Sequence, residues 1–222
     1  MEKGKLIVVE GACDGIGKTT QYNLLGNRLE EEGKRVIKHH FPSYDTYQGM
    51  PVQKYLSGEF GTPKDLSPYF INSLYAIDRA ITWNKVLKDE YNSGSTILLD
   101  RYTTSSIIYQ SALIDDEDEK INFIDYVCDF EYKKLGVQVP DNIIFLHAPF
   151  ELVTKMREDR KGNEGIVNDI HERDIEFMKK VYQNAMFIAR YLGWDMINCE
   201  NNCQIDSVEN IHNKVYQKIK FN

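Results

Sequence analysis

The turn at residues 11–20 constrains this chain more than any other segment. It reads Gly11-Ala12-Cys13-Asp14-Gly15-Ile16-Gly17-Lys18-Thr19-Thr20, after a β-rich run at 6–9 and ahead of a helical pattern over 18–32. A strand, a glycine-rich turn and a helix in that order curl successive backbone N–H groups around phosphate oxygens, and the helix N-terminus adds positive potential. Gly15 and Gly17 permit close backbone approach and positive φ. Lys18 is the side chain that reaches β- and γ-phosphates in such a loop, and the Thr19 hydroxyl is the Mg2+ ligand. The candidate phosphate site therefore runs from Ala12 through Cys13, Asp14, Gly15, Ile16, Gly17, Lys18 and Thr19 to Thr20. Five residues separate Gly11 from Gly17, where the usual form has four. Either Ala12 serves as the first small residue, or the strand carries one extra residue. A ligand-free structural turn is the plain alternative.

The rest of the chain alternates short apolar runs with longer helical patterns. Strands are expected at 35–41, 96–99, 142–147 and 194–198. Helices are expected at 52–56, from the Ser67-Pro68 cap to about 91, and at 104–112, 120–135, 150–160, 169–191 and 207–220. This alternation predicts an α/β fold with a parallel sheet covered on both faces. The 222 residues fit one domain, and 42% hydrophobic residues fit a globular one. A net charge of −7 disfavours a nucleic-acid partner, though a few local cations suffice for a small anion. Four cysteines are too few for a disulfide scaffold, and the Cys199–Cys203 spacing lacks the second pair that a zinc site needs. Reduced thiols, no secretory segment and no run long enough to span a bilayer point to a cytoplasmic protein.

Two further groups join the loop. Asp100 ends the strand at 96–99 and is followed by Arg101. Ligands of open parallel sheets bind beyond the strand carboxyl ends, so Asp100 is placed to face Mg2+ and Arg101 to fork onto phosphate. A structural Asp-Arg ion pair is the alternative. Phosphoryl transfer requires cations to converge on the moving group, and the loop supplies only Lys18. Arg157, Arg160 and Lys161 lie at the edge of a polar, glycine-bearing stretch, where a lid over about 157–168 would deliver them. Basic residues also suit a plain helix C-terminus.

With these motifs placed, the chain resembles the thymidylate kinase family. The resemblance rests on LIVVEGACDGIGKTTQ (6–21), FPSYDTYQG (41–49), SLYAIDRA (73–80), DRYTTSSIIYQ (100–110) and VPDNIIFLHAP (139–149), with the basic stretch before DIHERD (169–174). It implies a P-loop NTPase fold, three layers α/β/α around a five-stranded parallel sheet. It also implies transfer of the ATP γ-phosphoryl to dTMP by a homodimer. By the same resemblance Asp14 lies near the acceptor sugar and transferring phosphate, Tyr75 stacks on the base and Arg79 hydrogen-bonds it. Ser105, Ser106, Tyr109 and Gln110 line the nucleoside pocket with Phe41, and Tyr109 is the candidate for excluding a ribose 2′-hydroxyl. For Tyr75 and Tyr109, burial in the core is the alternative. By the same resemblance, Tyr44 stands where many relatives carry an arginine that clamps the acceptor phosphate, which shifts that charge to Arg101 and Lys18. Two other functions stay open: a kinase for another nucleotide or a nucleoside, and a nucleotide-dependent switch without an acceptor.

Overall fold

The structure is a computed structural model that describes residues 3–156 and 175–219. Its sheet has five parallel strands: β1 (Lys5–Gly11), β2 (Val36–His40), β3 (Thr96–Asp100), β4 (Asn142–His147) and β5 (Asp195–Asn198), in the order β2-β3-β1-β4-β5. β1 lies at the centre, and all but its first residue are buried, as a strand covered on both faces requires. The register brings Val9 beside Asp100 and Gly11 beside Leu146, so β1, β3 and β4 end together.

Alternate β1 side chains enter opposite layers. Ile7 and Val9 pack with Leu98, Ile144 and Leu146 against Leu25 and Leu29 of α1 (Lys18–Glu31). Leu6 and Val8 pack on the other face with Ile97 and Leu99 against Trp83, Leu87 and Tyr91. Each fully buried leucine of α1 contributes roughly 1.5–3 kcal/mol by leaving water. A third cluster joins Phe145 of β4 to α5 (Thr103–Ser111), α6 (Glu117–Cys128) and α7 (Ile175–Tyr191). The expected three layers, helices on both sides of a parallel sheet, are therefore present. The last helix is α8 (Val208–Lys218), packed on α1.

The long helix differs from its expected regular form. Here α2 (Met50–Leu56) is followed by α3 (Pro68–Thr82), whose cap Ser67 accepts the Phe70 N–H at 3.1 Å. The helix then widens into a π-helical turn over Trp83–Leu87 before α4 (Lys88–Asn92). α6 likewise runs into a π-helical segment, Asp129–Lys134. Bonds from i to i+5 carry no sequence signature that periodicity reads. A two-stranded ribbon, β6 (Glu200–Asn201) with β7 (Gln204–Ile205), was not expected; it turns through Asn202 and Cys203 at φ 52° and 59°. Among the described residues, no helix is long and apolar enough to cross a membrane.

Candidate active site

The phosphate loop sits at the carboxyl end of β1, between the carboxyl ends of β3 and β4. Gly11 is the last residue of the strand, and Ala12 still donates its N–H to Leu146 O at 2.9 Å, so the strand reaches into the first positions of the loop. A methyl on Gly11 would meet the Ile16 side chain at 2.7 Å and the Lys18 stem at 3.1 Å, so a larger residue there would push both side chains of the folded-over loop aside. Gly15 and Gly17 hold φ of 93° and 98°, and Gly17 caps α1 in the left-handed conformation. Ala12, Cys13 and Ile16 send their side chains into the apolar core and anchor the loop. The cavity beside it is lined by Asp14, Gly15, Gly17, Lys18, Thr19 and Thr20, with His40, Asp100 and Arg101 opposite.

Charges converge on Asp14. Its carboxylate accepts the Lys18 Nζ at 2.8 Å, the Tyr109 hydroxyl at 3.2 Å and a close bond from Arg101. Burial alone would raise its pKa, but Arg101 and Lys18 hold it far below the ordinary carboxylate range. Arg101 is itself unusual in its backbone. It adopts φ 66°, a left-handed conformation that a bulky residue rarely takes outside functional sites. Its N–H donates to Val9 O at 3.2 Å, and its guanidinium reaches Ser105 Oγ at 3.4 Å and lies 5.6 Å from the Tyr109 ring centre.

Thr19 and Asp100 meet as the sequence suggested, with Thr19 Oγ1 donating to Asp100 Oδ2 at 3.4 Å. His40 Nδ1 lies 3.4 Å from the same oxygen. Burial pushes the Asp100 pKa up, but His40, Lys18 and Arg101 outweigh it and keep the carboxyl ionised below its usual range. Its other oxygen, Oδ1, is buried and has no hydrogen-bond partner among the described residues. A hydroxyl beside an anionic oxygen that lacks a donor is a donor set that suits a hard divalent cation.

A second cavity opens from the first and shares Asp14 and Arg101 with it. Phe41, Tyr44, Tyr75, Arg79, Ser105, Ser106, Tyr109 and Gln110 line it, with Pro42, Leu56, Tyr102 and Met178. All the acceptor-pocket residues named from the sequence thus come together. Tyr75 lies edge-on to Tyr55 at 6.3 Å and faces the Arg79 guanidinium at 6.0 Å. Gln110 is buried with Oε1 lacking a donor among the described residues. Phe41 is buried between His39 and Tyr102. Tyr44 stands at the mouth, half exposed and stacked on His40, on a loop pinned by the Ser43 N–H to Asp78 Oδ2 at 2.7 Å. Arg157, Arg160 and the lid expected over 157–168 lie outside the described residues.

Sequence reasoning missed three contributors. Glu10 is fully buried beneath the loop, where it accepts the Gly11 N–H at 3.0 Å and the Thr104 hydroxyl at 2.9 Å. Its signal was a charged residue at the end of an otherwise apolar strand. His40 carried only its place at the end of β2. Glu131 had no signal: it sits in the charged run DFEYKK yet is fully buried.

Comparison with known proteins follows the same lines. The family model for thymidylate kinase matches residues 9–214. The thymidylate kinase of Prochlorococcus marinus (strain MIT 9312) is 30% identical, over 99% of this chain and 97% of its own. A probable thymidylate kinase of Caldivirga maquilingensis is 27% identical, over 96% of this chain and 95% of its own. Among solved structures, thymidylate kinase from Candida albicans superposes with a TM-score of 0.73 at 24% identity, covering 97% of this chain and 90% of that one. The Ehrlichia chaffeensis enzyme gives 0.67 at 21%, covering 97% and 98%. These two likenesses establish the shared fold. The near-complete family match and the relative at 30% identity establish more: this chain belongs to the thymidylate kinase family.

Proposed function

We propose that the chain transfers the γ-phosphoryl group of ATP to dTMP, giving dTDP and ADP. The observation that carries this reading is that two cavities, one on the phosphate loop and one walled by Tyr75, Arg79, Ser106 and Gln110, meet at Asp14 and Arg101. A donor triphosphate on the loop and an acceptor in the second cavity place their reacting groups at that junction. Asp14 holds Lys18 and Arg101 there; incoming phosphates supply the same two cations with anionic partners in its place. An oxygen of the acceptor phosphate attacks the γ-phosphorus. The bond from that phosphorus to the β–γ bridging oxygen breaks, and ADP departs with the oxygen. The acceptor phosphate is largely dianionic near pH 7, so positioning and charge stabilisation carry the rate without a strong base.

Thr19 and Asp100 would hold Mg2+, which neutralises charge on the donor oxygens when bound. Arg101 does the work on the acceptor side, because Tyr44 brings a hydroxyl and no charge to the mouth. Tyr109, fixed by its bond to Asp14 and with its ionisation suppressed by burial and by Asp14, is a rigid wall for a 2′-deoxy sugar. The family match over 9–214 supports a single kinase unit. The family reading adds a homodimer and a cytoplasmic location to this proposal, with exposed Phe70 and Ile77 on α3 as candidates for the shared surface.

A coupled ADP assay across acceptors tests the proposal. dTMP is expected to turn over faster than thymidine, dCMP, dGMP or AMP. If dTMP turns over no faster than the others, the chain is instead a kinase for a nucleoside or another nucleotide, the reading that Tyr44 favours, and no acceptor-dependent ADP would make it a switch.

A further inference from the structure

Arg79 walls the acceptor cavity, and its buried ion-pair partner Glu131 has no part in the reaction described above. Arg79 Nε and NH2 reach the two oxygens of Glu131 at 2.6 and 2.7 Å, a fork on a fork. Thr103 Oγ1 adds a third donor to Glu131 at 3.0 Å, and Arg79 NH2 also donates to Ser106 Oγ at 2.8 Å. Glu131 is the one buried side chain of the π-helical segment Asp129–Lys134. Such widened turns recur at functional sites.

The bonding has two consequences. A guanidinium held at both Nε and NH2 cannot swing, so the remaining nitrogen is fixed in place. That nitrogen, NH1, has one long contact, 3.4 Å to Tyr102 O. Arg79 lines the acceptor cavity and can only donate, so the group it suits is a carbonyl oxygen. The pair is also neutral overall. The far end of the cavity therefore does not compete with Arg101 and Lys18 for the acceptor phosphate.

We propose that Glu131 is a positioning residue that sets acceptor-base selectivity by fixing Arg79. It favours a neutral base bearing a carbonyl, as thymine does, over one presenting an amino group in its place, as cytosine does. This inference rests on dTMP as acceptor, and the wild-type panel tests that separately: a wild type with no preference for dTMP removes the acceptor reading before any variant is made.

The test is steady-state kinetics of Glu131→Gln with dTMP, dCMP and ATP varied in turn. Loss of one charged partner is expected to raise the dTMP KM about tenfold and lower the dTMP-over-dCMP ratio of kcat/KM, with the ATP KM unchanged. In an Arg79→Ala background the same substitution should change neither quantity further. Thr103→Val removes one donor to Glu131 while keeping the side-chain shape, and should move the dTMP KM in the same direction by less. A role in the fold alone would shift the KM values for dTMP and ATP together, or lower thermal stability with both unchanged; either result overturns the proposal. If Glu131→Gln does not fold, Thr103→Val decides, and a wild-type KM and acceptor ratio in that variant overturn it.

Discussion

The two ends of the active-site cavity hold their cations in contrasting ways. At the phosphate end, Lys18 and Arg101 share Asp14, whose side chain is 29% exposed. At the base end, Arg79 is paired with Glu131, whose side chain is 0% exposed. A pair in contact with solvent exchanges partners at modest cost, whereas separating a buried pair leaves an uncompensated charge. The phosphate end is thus built for exchange, with one carboxylate lending two cations to whichever phosphates arrive. The base end is built to stay put. That division suits a reaction in which the phosphoryl group moves and the base does not.

The contrast can be broken from either side. The largest effect is expected from Lys18→Ala, which removes a cation from the transferring group. Turnover should fall by roughly 10²–10³-fold with the fold retained, since a preorganised charge at the reacting centre is lost. Near-normal ADP production with unchanged circular dichroism would take Lys18 out of the mechanism. Next is Arg79→Ala, at the permanent end. It should raise the dTMP KM and also cost about 3–5 kcal/mol of unfolding free energy, because Glu131 is left buried without its partner. Denaturant titration and kinetics on the same preparation check both; a stable variant with wild-type KM would show that the pair is ornamental.

The smallest effect concerns acid stability. The folded pKa of Asp14 is depressed, so its contribution to stability is present above the unfolded value, near 3.9, and is lost as pH falls through the folded value. The melting temperatures of wild type and Asp14→Asn should therefore converge as pH drops below about 4. A gap that stays constant through that range would mean that Asp14 is not held by Arg101 and Lys18 as described.

Much of this was legible in the sequence, for identifiable reasons. Strand–turn–helix at 6–32 has a glycine pattern tied to backbone conformations, and Gly15 and Gly17 adopt the positive φ that the pattern demands. Asp100 was legible because it ends an apolar strand, and parallel sheets bind at strand ends. Tyr75 and Arg79 were legible through the family resemblance, and their spacing of one helical turn added only that they share a face. Glu131 was not: four of the six residues in its run are charged, and local composition does not tell which of them a π-helical turn buries. The order β2-β3-β1-β4-β5 is likewise a tertiary choice that local periodicity does not encode. The β6–β7 ribbon did leave a trace, because Asn-rich pairs favour the left-handed conformations of tight hairpins, but its strands are only two residues long.

The most direct measurement is a crystal structure with dTMP and a non-hydrolysable ATP analogue bound together. The account predicts the triphosphate on the backbone of residues 12–20, the acceptor phosphate at Arg101, and the base between Tyr75 and Arg79 with the Arg79–Glu131 fork intact. A phosphate loop without triphosphate, or a base seated away from Tyr75 and Arg79, would contradict it.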